Sequence, residues 1–123
     1  MAEDGRTPKQ VNREIAEALG WVTVQPTDDG VLSGIPPAAL SRRMVPDWYH
    51  SLDAQARDVW PVLLAAGWVH ETFAYGEEFR CEWGQNPHQI ECFAGEGATL
   101  AAACAEASLA ALRAMKEGAN VEH

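Results

Sequence analysis

Cysteine is scarce in this 123-residue chain, which has three (Cys81, Cys92 and Cys104) and no CxxC pair. So few, and an odd number, cannot close a disulfide framework, which excludes the small stapled scaffolds and makes a reducing cytosol the default. Positive charge is also short: nine Lys and Arg stand against eighteen Asp and Glu, a net charge of -9. That balance argues against direct nucleic-acid binding and against anionic lipid surfaces. No apolar run approaches the roughly 20 residues of a membrane span. The opening segment, MAEDGRTPKQ, lacks the pattern of a signal peptide. What remains is 47% hydrophobic residues, five of them Trp, an ordinary share for one domain with a single core.

Residues 1–6 are small and charged, and read as a tail. Thr7, Pro8 and Gln10 then have the spacing of a capping box with proline in the first turn. Val11, Ile15, Ala18 and Leu19 recur at helical spacing until Gly20 supplies a stop. Trp21–Gln25 is β-branched and aromatic and predicts a strand. Residues 26–50 hold Pro26, Gly30, Gly34, Pro36, Pro37 and Pro46, and read as a long irregular loop with a helical turn or two over Ala38–Arg43. A second helix opens at Ser51 or Asp53 and runs to Ala66. Pro61 falls inside it, so that the helix either kinks there or restarts with Pro61 in its first turn; the kink is the expectation. The Ala-rich stretch Ala98–Lys116 predicts the last helix, and residues 118–123 a tail.

Between them, Trp68–Ala94 reads as three antiparallel strands. A loop of Tyr75, Gly76 and Glu77 would set Phe73 opposite Phe79 and His70 opposite Glu82. A two-residue loop of Gly76 and Glu77 would instead set Glu71 against Glu82, a like-charge pair, and is disfavoured. A turn at Gly84–Pro87 would place Trp83, Cys81 and Phe79 opposite His88, Ile90 and Cys92, with Arg80 facing Glu91 and Glu82 facing Gln89. The expectation is therefore an α+β domain over residues 7–117. It has a small, mostly antiparallel sheet of three to four strands with helices packed on it, as in an α/β/α sandwich.

Three segments taken in order carry a resemblance: EIAEALGW (Glu14–Trp21), PDWYHSLDAQARDVWPVL (Pro46–Leu64) and ATLAAACAEASLAALRAM (Ala98–Met115). Together they resemble the phage ABA sandwich domain family, small bacteriophage and prophage proteins with helices on both faces of a central sheet. The resemblance implies a phage product in the cytoplasm of a bacterial host, with no catalytic residues to carry over.

Chemistry-bearing constellations are sparse. His70, Cys81, His88 and Cys92 are zinc-type ligands, but His88 and Cys92 would stand about 13 Å apart on one strand, and Cys81 and Cys92 read as buried apolar residues. No metal or other cofactor is expected. Ser51 and Ser108 lack a nucleophile elbow, and Gly95-Glu96-Gly97 resembles a turn more than a phosphate cradle. Two surfaces stand out. One is the polar sheet face of His70, Thr72, Arg80, Glu82, Gln89 and Glu91. The other is Trp48, Tyr49 and His50 beside Arg42 and Arg43, a cation–aromatic set suited to gripping a protein or stacking on a base. The reading favoured is a non-enzymatic accessory protein that binds a host or phage macromolecule, with a homo-oligomer possible. A module binding a small nucleotide ligand is the alternative, and an acidic DNA mimic the third.

Overall fold

The computed structural model describes residues 7–84 and 93–121. Helix α1 (Pro8–Ala18) begins as its sequence requires. The Thr7 hydroxyl accepts from the Gln10 N–H at 3.2 Å, and the Gln10 side chain accepts from the Thr7 N–H at 2.8 Å. Leu19 caps the helix and Gly20, at φ +103°, turns the chain away in the left-handed conformation.

The stretch after Gly20 is more regular than its composition suggests. Strands β1 (Val22–Pro26), β2 (Leu32–Ile35) and β3 (Arg43–Met44) form an antiparallel sheet in that order. Residues 26–50 are therefore not an irregular loop throughout, and Ala38–Arg43 holds no helical turn. Ala38 sits at φ +63°, which breaks helix, and Arg43 has joined the sheet opposite Gly34.

The second helix is divided. Helix α2 (Leu52–Asp58) ends at Val59, and α3 (Trp60–Ala65) restarts with Pro61 in its first turn. The expected kink is instead a break, because a proline in the first turn sacrifices no helical hydrogen bond.

A second antiparallel sheet is built from β4 (Val69–Tyr75), β5 (Glu78–Gly84) and β6 (Phe93–Gly97), with β5 in the middle. Its registers differ from expectation. Tyr75 pairs with Glu78 across a two-residue loop, so Glu71 does face Glu82 and His70 faces Trp83. Gly76 lies at φ +61° in the first loop position, which fits the type II′ turn that matches strand twist. The like-charge pair is relieved by Arg80, which bonds Glu82 at 2.7 Å. Across the sheet Trp83 pairs with Phe93, Cys81 with Gly95, Arg80 with Glu96 and Glu82 with Ala94. The expected partners His88, Gln89, Ile90, Glu91 and Cys92 all lie outside the described residues.

Helix α4 (Leu100–Val121) continues past the expected end at Lys116. It is buried on nearly every side through Leu112, because it packs on β5 and β6 and also against α1, α2 and α3. A helix so enclosed must be apolar all round, and its alanines let the backbones approach closely. Cys81 of β5 lies beside Cys104, and the Trp83 indole N–H donates to the Ser108 hydroxyl at 3.0 Å. Arg113 of α4 bonds Glu14 of α1 at 2.6 Å. The result is an α+β fold with helices packed on antiparallel sheet.

Candidate functional site

The residues of the two expected surfaces have separate fates. On the β4–β6 sheet, Arg80 and Glu82 share the face away from α4, where the guanidinium bonds both Glu82 and Glu96 at 2.7 Å. His70 does not join them. The one-residue difference in register turns it to the opposite face, between Trp60 (ring centroids 4.7 Å apart) and Trp83 (4.4 Å, stacked). Thr72 turns with it, opposite Cys81. Burial pushes the His70 imidazole below its ordinary value, and Nδ1 has no hydrogen-bond partner among the described residues. Glu91 lies outside the described residues. The polar face is thus an exposed plane whose arginine is already committed to two carboxylates.

The second group is partly dispersed. Trp48 is not an exposed stacking platform: it is 1% exposed. A residue so apolar, flanked by helix-entry turns, finds more stabilisation inside than out. Its indole N–H donates to Asp58 at 3.0 Å, and its carbonyl accepts from the Gln55 amide at 2.7 Å. The same amide donates to the Ala101 carbonyl at 2.9 Å, which ties this turn to α4. Asn12 of α1 fixes the other side. Its amide donates to Asp47 at 2.9 Å, and its oxygen accepts from the Tyr49 N–H at 2.8 Å. Tyr49 is half-buried, edge-on to His50. Burial raises the Asp47 carboxyl, but the hydrogen bonds from Asn12 and His50 outweigh it and leave it below its usual range.

Arg42 and Arg43, adjacent in sequence, do different work. Thr23 sits at φ +51° within an irregularity of β1, an unusual conformation for a β-branched residue. The Arg42 guanidinium donates to the Thr23 carbonyl at 2.9 and 2.6 Å and reaches the Ser33 hydroxyl at 3.3 Å. Arg42 is a structural clamp. Arg43 points into a cleft and makes no ion pair among the described residues.

That cleft, of about 470 Å³, brings together two of the sequence candidates, Arg43 and Trp48. Trp21 and Trp48 meet edge-on along it, 6.1 Å between centroids at 89°. Gly34 leaves room beside Trp21: a Cβ there would stand 3.3 Å from the indole, 3.2 Å from the Val22 carbonyl oxygen and 3.0 Å from Val24. Leu19, Pro36, Pro37, Pro46, Met44 and Val62 complete the apolar lining. Arg57 and Asp58 form the polar end, joined at 2.7 and 2.8 Å. The Arg57 guanidinium, with help from Trp48, holds the Asp58 carboxyl below its ordinary range against the opposing effect of burial. Trp21, Arg57 and Asp58 carried no functional signal in the sequence. Only the stop at Gly20, which delivers Trp21 to the start of β1, hinted at its placement.

The cleft thus combines apolar walls, a fixed Asp58 and the Arg43 guanidinium, and its lining holds no Ser, Thr, Cys or His side chain. Among the described residues no group of three His, Cys, Asp or Glu side chains is arranged to hold a metal ion, and no helix is long and apolar enough to cross a membrane. No protein-family model matches the chain, and no curated protein or solved structure matches it either.

Proposed function

We propose that this protein is a binding module that takes a short apolar segment of a partner protein, bearing one carboxylate, in the Trp21–Trp48 cleft. The observation that carries the reading is Arg43, a guanidinium that lines a proline- and tryptophan-bearing cleft and makes no ion pair among the described residues, in an otherwise acidic chain. The half-buried Trp21 indole and the proline surfaces, with Met44 two-thirds exposed, supply contact area at little conformational cost. A desolvated carboxylate–guanidinium pair supplies register. The net charge of -9 disfavours a strongly acidic partner, so the ligand is apolar with a single acid. The resemblance to phage ABA sandwich proteins would make it an accessory protein acting on a host or phage macromolecule. That part of the proposal rests on the three sequence segments alone.

Peptide-display selection on the immobilised chain tests this reading. Enriched sequences should pair apolar residues with one Asp or Glu, and Arg43→Glu should shift the preference to Lys or Arg. No enrichment, or enrichment indifferent to both Arg43→Glu and Met44→Asp, refutes it. The cleft volume also suits a small ligand, which favours a nucleotide as the second reading. A thermal shift with a nucleotide panel, lost in Arg43→Ala, would decide for it.

A further inference from the structure

Strand β4 is regular for seven residues, yet it has one neighbour among the described residues. It lies at the edge of its sheet, and among the described residues only β5 pairs with it. Helix α4 lies over β5 and β6, so β4 overhangs the layer. Thr72 and Ala74 are exposed although they stand on the α4 side, and Val69 and Tyr75 are 47% and 59% exposed on the other. Exposed edges of soluble proteins are usually blunted by Lys, Pro or a bulge. Residues 69–75 (VHETFAY) contain no Lys or Pro, and their register with β5 is unbroken.

We infer that the free edge of β4 is a self-association surface, on which two copies pair antiparallel about a two-fold axis through Thr72. The strand is complementary to itself in this register. Val69 meets Tyr75 of the second copy, His70 meets Ala74, Glu71 meets Phe73 and Thr72 meets Thr72. Thr72 is the only centre that pairs all seven residues. It also keeps the two Glu71 carboxylates off directly opposed positions, so the one acidic side chain of the strand faces an aromatic ring. Phe73 and Tyr75, already stacked at 6.2 Å, gain aliphatic and aromatic neighbours across the seam. Pairing converts two three-stranded sheets into one continuous sheet. A single strand on each side is a small interface, so the dimer is weak and concentration-dependent.

Sedimentation velocity on the full chain over a wide concentration range should show mass rising from monomer to dimer. Thr72→Lys and Thr72→Glu place like charges directly across the axis, and each alone should remain monomeric. Mixed in equal amounts they should dimerise again, a rescue specific to this register. Thr72→Cys should form a cross-linked dimer when treated with a thiol oxidant, and this arm stands even if a charged variant fails to fold. A wild-type chain that stays monomeric throughout, or a dimer untouched by Thr72→Lys, overturns the inference. So does a folded Thr72→Cys chain that does not cross-link.

Discussion

Replacing Gly95 by alanine tests the central contact of the fold, the seat of α4 on β6. A Cβ built on Gly95 would stand 2.5 Å from the Ala103 carbonyl oxygen and the Ala107 nitrogen, and 2.7 Å from the Glu106 Cβ. Two of the three obstacles are backbone, so no side-chain rotation clears them. The helix must retreat by about 0.9 Å to reach an ordinary contact distance of 3.4 Å, and the whole buried face of α4 loosens with it. Overpacking of this kind is worth about 3 kcal/mol, which lowers Tm by about 12 °C in a domain of this size. Gly67→Ala is the contrast. Its Cβ would meet nothing within 4 Å, but its φ of +91° is strained for alanine, worth about 1–2 kcal/mol. Urea denaturation followed by tryptophan fluorescence measures both. A Gly95→Ala loss below about 1 kcal/mol, or one no larger than that of Gly67→Ala, would mean that α4 does not rest where described.

Arg42→Ala should cost about 1–2 kcal/mol because it strips the clamp from the Thr23 carbonyl. Arg43→Ala should stay within about 0.5 kcal/mol of wild type, and equal losses in denaturation would refute the division of labour. Asp58→Ala leaves the Trp48 indole N–H buried without its acceptor, a loss of about 2 kcal/mol that thermal unfolding would register. Because the Asp58 carboxyl sits below its usual value of 3.8, its contribution is complete above about pH 4 and disappears as the pH falls through the lowered value. His70 works at a higher window. Its value lies below 6.5, so the unfolded chain takes up the proton first and stability falls as the pH drops through about 6.5. His70→Phe should flatten that decline between about pH 7.5 and 5.5, and an unchanged slope in denaturant midpoints would exclude His70 as its source.

Local signals were legible wherever one physical effect dominated. Thr7, Pro8, Gln10 and Gly20 bracket α1 through backbone hydrogen bonding alone, and the structure follows them. The sheet registers were harder because two effects compete there. Avoiding a Glu71–Glu82 pair favoured a longer loop, but Gly76 in the first position of a two-residue turn prevailed, with Arg80 relieving the charge. Strand β6 was obscured because Gly95 and Gly97 read as breakers. They are glycine because α4 presses on them, and that reason lies in tertiary contact. Trp48 misled for a similar cause: Gln55 and Asp58 bond it from α2, and Asn12 of α1 holds its two neighbours, Asp47 and Tyr49. The cleft joins the ends of α1, β3 and α2, so no single segment announces it.

Since α4 touches α1, α2, α3, β5 and β6, residues 100–112 supply an interior that all of these elements share. The core therefore closes through contacts between distant parts of the chain, an arrangement that slows folding relative to one wired by local contacts.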